Sequence, residues 1–554
     1  MKKYIISILG ALAVAGCSLE PAFYSSVTPD LYYDSPTSIY SALSRPFAHW
    51  REFQTYDSWR LQELTTDEMC CPQRYQHYED GGMWAVLHHH EWTPDHECII
   101  KVWNGVGKGI AFAYNMADDL KEVDYVKCGL DNETKAWHQA QLKVLAAYFY
   151  LRGLDYFGGM PLYKEYTLQE VPRATAKETF DFIEDVLLET IPQLRSYVKG
   201  TSHEGFITQG AAAVMLAQLY FNAIAYTGED RFADCAKVCQ DIIDQKYGQY
   251  ELSKIWNGPF TFDNDLCAEN IWVAPSANSQ YLFSWYYSQS SPYNIHEYYD
   301  IIKSSQYNGL CMQPSLKPDG SSYGFKLGRP YEKFHDDDLR KTLYVYNGKK
   351  QYQGMFLVGR LENPRTGNTC KGEWDYRGEV LELVDMIAPF KQLGKQYADV
   401  SQLPSDMYSA EENSGVRVVK YPTPNKTDES CQWDPDWVVF RLAEVYYMLA
   451  ECRFRAGELS DAAELFNKVR ARNFSSSDPD PVTEDNIDKY RILDEWMIEF
   501  IGEARRRTDL IRWDVFTNDQ WWDHKPSGSA HLNVFPIPTT AISSSNIITQ
   551  NPEY

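Results

Sequence analysis

The sequence predicts a mainly α chain of helical hairpins, interrupted by a large loop-rich insertion with short strands. Three observations predict it. Residues 103–120, 134–157, 179–194, 208–226 and 231–245 carry apolar side chains at helical spacing, and a second set covers 437–456, 460–473 and 485–511. Between the sets, residues 247–433 hold turn dipeptides such as Asn257-Gly258, Asn308-Gly309, Asp319-Gly320 and Asn347-Gly348. A stretch of that length inside a folded chain is functional or carries strands of its own. The composition, 44% hydrophobic and 23% charged, is globular and excludes a disordered or collagen-like chain.

The elements follow in order. Met1-Lys2-Lys3 is a short positive region, and residues 4–16 are an apolar run of 13, too short to span a bilayer. The run ends in Val14-Ala15-Gly16-Cys17, which resembles a bacterial lipobox. That makes 1–16 a signal peptide and Cys17 the acylated first residue of the mature chain. No other run approaches 18 apolar residues, so no transmembrane helix is predicted. Residues 67–97 are rich in Pro, Gly, His, Trp and Tyr and have neither helical nor strand period. In 134–157, Leu142, Leu145, Ala146, Phe149, Tyr150 and Gly153 line one face, and Gly158-Gly159 and Pro161 end it. Thr175 and Glu178 have the spacing of a capping box before the 179–194 helix. Gly228 separates 208–226 from 231–245. Two segments have a tetratricopeptide-like pattern of small and aromatic residues: Ala217, Tyr220, Gly228, Phe232, Ala236, and Ala450, Gly457, Leu459, Ala462, Leu465. One such hairpin buries its face only against the next.

The charge balance excludes some functions. Asp and Glu number 77 against 53 Lys and Arg, a net charge of −24, which disfavours nucleic acid and anionic membrane surfaces as partners. Trp 16, Tyr 40 and Phe 25 make the chain unusually aromatic. Most of these rings belong to the core; some are candidates for a recognition surface. The cysteines read as buried, reduced packing residues, and Cys235 and Cys239 have no His nearby to suggest zinc. His88-His89-His90 with His96 fits no standard metal spacing and reads as a hydrogen-bonded cluster. No P-loop, H-E-x-x-H or G-x-S-x-G motif occurs. Asp263-Asn264-Asp265 starts like a calcium loop but lacks its glycine.

Several motifs then carry a family resemblance. Arg441-Leu442-Ala443-Glu444, with Ala450-Glu451 further along, resembles the "RLAE-x-x-L-x-x-AEA" helix of SusD/RagB-type proteins. Asn467, Arg470 and Arg472 look like their "N-x-x-R-x-R". Glu499-Phe500 through Arg512-Trp513 is similar to "EF-x-x-EG-x-R-x-x-DL-x-RW", with Ala504 in place of Gly. Phe535-Pro536-Ile537-Pro538 and the ending Gln550-Asn551-Pro552-Glu553-Tyr554 resemble "FPIP … QNPGY", with Glu553 in place of Gly. Phe157-Gly158-Gly159-Met160-Pro161 and Phe334, Asp338 and Arg340 ("F-x-x-x-D-x-R") fit as well. The matches run in family order from about residue 100 to 554.

The resemblance implies a single SusD-like domain over 17–554. Its tetratricopeptide-like hairpins (about 100–245 and 437–515) form an α-superhelical scaffold, the insertion (about 247–433) carries the ligand loops, and 67–97 is an aromatic loop. It implies an outer-membrane lipoprotein facing the cell exterior, which captures oligosaccharide without catalysis. It would deliver the glycan to a SusC-like TonB-dependent transporter. The motifs themselves lie in the scaffold, so Arg441, Glu444, Arg505 and Asp509 read as ion pairs between helices. A peptide-binding lid of the same family and a helical-barrel glycosidase are the alternatives. No cofactor is implied; some relatives carry structural calcium, but no run here supplies its ligands.

Sugar faces stack on Trp and Tyr, and hydroxyls need planar polar partners. The ligand candidates are therefore Asp67, Arg74, Tyr75, Tyr78, Trp84 and Trp92 in the first loop. Trp285, Tyr286, Tyr287 and Tyr293 follow within 281–299.

Overall fold

The computed structural model describes residues 32–276, 282–426, 428 and 434–554. Cys17, the signal segment and Tyr281 lie outside these residues. Two helices that the sequence reading left unassigned come first, α1 (Pro36–Phe53) and α2 (Asp57–Glu63). Ser35 and Ser38 close a reciprocal capping box at the start of α1. The expected helices follow as α3 (Glu97–Lys121), α4 (Asn132–Phe157), α5 (Ala176–Thr190), α6 (Gln209–Phe221) and α7 (Phe232–Ile243). The capping box before α5 is present: Glu178 N donates to Thr175 Oγ1 at 3.1 Å and Thr175 N to Glu178 Oε2 at 2.8 Å. After the insertion come α8 (Leu442–Arg455), α9 (Leu459–Arg470), α10 (Lys489–Phe500) and α11 (Arg506–Arg512).

Consecutive helices stack: α3 on α4, α4 on α5, α6 on α7, α7 on α8 and α8 on α9. The α7–α8 contact joins the two helical sets across the insertion, as a hairpin repeat requires. Small residues permit the close approach. A Cβ at Gly109 of α3 would lie 2.4 Å from the Phe149 ring of α4. Among the described residues no helix is long and apolar enough to cross a membrane.

The structure corrects two helix boundaries. Residues 437–441 are a strand, not the start of a helix: Trp437–Arg441 pairs antiparallel with Asn270–Ala274, and α8 begins at Leu442. The run Trp-Val-Val-Phe has the aromatic and β-branched content that a pleated, buried surface favours. The predicted 485–511 helix breaks between Phe500 and Arg506. There Gly502 and Ala504 take φ of 78° and 60°. Tertiary bonds hold the break: Ala504 N donates to Glu63 Oε1 at 2.7 Å, and Glu503 accepts from Arg441 Nε at 2.8 Å and from Lys420. Ala504 and Glu553 are the two places where the sequence departs from glycine in the motifs above. Both sit in the left-handed region, Glu553 at φ 70°.

The insertion is built from short antiparallel pairs, each a two-stranded sheet. Cys311–Met312 pairs with Met69–Cys70 of the first loop, Val345–Gly348 with Gln351–Gln353, Phe356–Leu357 with Arg417–Val418, and Gly359–Arg360 with Glu382–Leu383. One apolar core runs continuously from the helices into this region. The ten described cysteines are all free, and all but Cys267 are buried.

Buried ion pairs hold the scaffold together. Glu499 meets Arg441 at 2.7 Å, Arg472 at 2.6 Å and Arg340 at 2.9 Å. Burial pushes the Glu499 carboxyl up, but the three guanidinium groups outweigh it and hold the carboxyl well below its ordinary range. Arg505 bonds Glu444 at 2.7 Å and Asp509 at 2.9 Å, so all four motif residues are indeed scaffold ion pairs.

Candidate functional site

Most of the expected ligand residues are inside the protein. Asp67 is fully buried; it takes the Arg506 guanidinium at 2.7 and 2.8 Å and Gly328 N at 2.8 Å. Arg74 is buried, with Nη1 donating to Glu411 O at 2.5 Å and Nη2 to Cys311 Sγ at 3.2 Å. Trp84 donates Nε1 to Asp80 at 2.7 Å beneath the Arg60 guanidinium. Trp92 donates Nε1 to Tyr554 Oη at 2.9 Å and packs on Phe535. Trp285 lies buried against Trp59, Tyr287 is buried beside Tyr299, and half-buried Tyr286 packs on Trp59. Tyr78 is half-buried over Gly309, where a Cβ would meet its ring at 2.4 Å. The reason is tertiary: the non-periodic loop is threaded between the C-terminal segment and the insertion, so its rings are buried without a periodic face.

Tyr75 and Tyr293 differ. Tyr75 is 68% exposed. It occupies a tight turn in which Arg74 N donates to His77 O and His77 N to Arg74 O, each at 2.9 Å. The buried Arg74 side chain pins this turn to the insertion. The His77 ring then lies 6.1 Å from Tyr293 and 5.2 Å from Trp374. Trp374 is 43% exposed, and Arg377 lies over its ring at 5.8 Å. Buried Glu412 fixes the Trp374 turn by accepting from Glu373 N at 2.7 Å and Trp374 N at 3.0 Å. Asn294, next to Tyr293, donates to Lys371 O at 3.0 Å and so ties the two segments together. Burial pushes the Tyr293 phenol up to about 12, so it remains a neutral donor. His77 Nε2 is buried and has no hydrogen-bond partner among the described residues.

His77, Tyr293 and Trp374 form a shelf of contacting rings, with exposed Tyr75 on the same turn as His77 and with Arg377, Glu373 and Asp375 at its edge. It presents flat apolar faces beside planar charged groups. Sequence reasoning missed His77 and Trp374. The available signal was Trp374 and Tyr376 in a polar stretch between Gly372 and Gly378, with Arg377 beside them. For metals, Asp263 pairs with Lys350 at 2.5 Å and Asp265 with Ser202 at 2.9 Å, so the Asp263–Asp265 turn does not converge on one point.

A model of the SusD family (SusD_RagB) matches residues 268–554, just over half of the chain. The chain belongs to the SusD family. The starch-binding protein SusD of Bacteroides thetaiotaomicron is 25% identical over 519 residues, covering 89% of this chain and 84% of that protein. A surface glycan-binding protein A from the same organism, solved with laminarihexaose, superposes with a TM-score of 0.64. It is 16% identical and covers 93% of this chain and 99% of its own. B. fragilis NanU gives a TM-score of 0.67 at 17% identity, covering 96% and 99%. These likenesses establish the SusD fold, including the helical-hairpin scaffold. SusD-family proteins are cell-surface, outer-membrane-associated carbohydrate binders and not enzymes, which removes the glycosidase alternative.

Proposed function

We propose that this SusD-family chain is a lipid-anchored surface protein. It captures an oligosaccharide on the Tyr75–His77–Tyr293–Trp374 shelf and passes it to a TonB-dependent outer-membrane transporter. The shelf carries the reading. Two of its rings are well exposed, it has charged hydrogen-bonding groups at its edge, and its two loops are pinned from below by Arg74 and Glu412. A pre-positioned platform binds without spending ordering entropy on the ligand's arrival. Stacking supplies affinity for a sugar face, and Arg377, Asp375 and Asn294 supply direction to its hydroxyls. No cofactor takes part. Cys17 provides the anchor, facing the cell exterior. A protein of net charge −24 gains little from attraction to an anionic surface, so the transporter contact rests on shape.

The test is a panel of soluble glycans and peptides titrated calorimetrically against the native chain and a Trp374→Ala variant. The expected result is binding to a glycan, weakened in the variant, with melting unchanged. Binding to peptides alone, or glycan binding indifferent to Trp374 and Tyr75, overturns the reading. Cys17→Ala should release the protein from membranes, and gentle solubilisation should recover the native chain with a β-barrel partner.

A further inference from the structure

A second constellation lies outside the shelf. One ring nitrogen each from His88 and His89 and a carboxylate oxygen of Asp523 lie within 4.8 Å of one another. Among the described residues this is the one group of three metal-capable side chains so placed. We propose that His88, His89 and Asp523 form a binding site for a borderline divalent metal ion of the zinc class.

The protonation state of His88 follows from its partner. Its ring is fully buried, with Nε2 2.9 Å from the main-chain oxygen of Trp522. A carbonyl only accepts, so Nε2 carries the hydrogen. Nδ1 is therefore a bare acceptor, and it has no partner among the described residues. A neutral imidazole held by one N–H on a carbonyl, with the other nitrogen free, is the state in which histidine ligates metals. An unpaired buried acceptor otherwise costs stability.

The other two donors are compatible. His89 Nε2 is 3.0 Å from Asp523 Oδ2. Two ligands at about 2.0–2.1 Å on a tetrahedral ion are separated by roughly 3.3 Å, so little movement is needed. Met407 N donates to the same Asp523 oxygen at 2.8 Å and orients the carboxylate. The His89 and Asp523 side chains are 20% and 24% exposed, which leaves a solvent path and an open coordination position. Two imidazoles and one carboxylate suit zinc, cobalt or nickel rather than calcium, which takes oxygen ligands alone. The ion would clip the Met83–His88 helix to the 521–524 turn. Through Met407, whose carbonyl accepts from Gln73 N at 2.8 Å, the clip reaches the turn that presents Tyr75.

The experiment uses the full chain freed of metal by a chelator and titrated with Co2+ followed by visible absorption, then with Zn2+ by calorimetry. The expected result is one ion per chain, with the intense visible bands of a tetrahedral nitrogen–oxygen cobalt site. A rise in melting temperature should accompany Zn2+ binding. Asp523→Asn and His89→Gln change partly exposed groups; each should weaken binding by about tenfold or more and abolish the melting shift. The exposed-site control His335→Gln should change nothing. Absence of the cobalt bands, or equal affinity in the Asp523→Asn/His89→Gln double variant with native circular dichroism, overturns the proposal.

Discussion

Arg505 lies over Trp496 at 3.8 Å in the scaffold, and Arg377 lies over Trp374 at 5.8 Å in the insertion. The residue types are the same. Trp496 is buried, its Nε1 donates to Glu451 at 2.9 Å, and Arg505 donates to Glu444 and Asp509. Trp374 is 43% exposed, and Arg377 donates its Nε only to a carbonyl of its own turn, Glu373 O at 2.9 Å. The first pair is saturated by the protein and locks helices together. The second keeps a free ring face and a free guanidinium edge. In these two pairs, saturation by internal partners, not residue type, separates the structural ring from the one available to a ligand.

The comparison breaks most visibly at the centre of the scaffold. Arg441→Met leaves Glu499 and Glu503 short of a buried partner and should cost about 3–5 kcal/mol in urea unfolding. A loss under ~1 kcal/mol would mean that the remaining guanidinium groups suffice and that the lattice is redundant.

Acid should separate the two regions. Glu451, Glu499, Glu503 and Asp509 are held below their ordinary range: burial opposes the charge, but arginine neighbours, joined by Lys420 at Glu503, outweigh it. Their contribution is present above the unfolded carboxylate value near 4.5 and is lost as pH falls below it. Burial pushes Asp385 and Glu411 of the insertion up to about 7. Their contribution has the opposite sign, full below the unfolded value and lost as pH rises through 7. Hydrogen exchange from pH 7 to pH 4 should therefore show residues 499–512 losing protection while residues 385–415 hold or gain it. Uniform loss would refute the split.

Trp374→Ala should weaken glycan binding by about 5–30-fold, roughly 1–2 kcal/mol, and shift stability by less than about 0.5 kcal/mol. A variant that unfolds instead would place Trp374 with the structural rings. The smallest effect concerns the left-handed break after α10. Ala504→Gly relieves a φ of 60° and should stabilise the chain by about 0.5–1 kcal/mol in the same urea assay.

What could be read from the sequence follows from which interactions are local. α4 and the Thr175–Glu178 cap were legible because their signals lie within one or a few turns. The strand 437–441 was not, because its partner Asn270–Ala274 lies about 165 residues upstream and its short β-branched and aromatic run leads straight into the apolar periodicity of α8. The loop 67–97 was recognised as aromatic and non-periodic, yet lack of period says nothing about burial. Asp67 needed Arg506, and Trp92 needed Tyr554, to reveal them as interior. Tyr75 and Tyr293 were named from the sequence, and the structure leaves Tyr75 exposed and Tyr293 half-buried. His77 meets Tyr293 and Trp374 only through ring contacts across long separations, as Asp523 meets His89.

The antiparallel pair of Asn270–Ala274 with Trp437–Arg441 brings the entry and exit of the insertion side by side. Everything between these strands is one closed excursion from the helical stack. Closure entropy grows only logarithmically, so doubling the length of such an excursion adds about 0.6 kcal/mol. The closure itself therefore costs little at any length, and what constrains this segment is its packing: Arg340 and Lys420 reach out of it to Glu499 and Glu503 of the scaffold. New ligand preferences can arise by rewriting exposed turns of the segment, such as 372–378, while these contacts and the helices beneath keep their sequence.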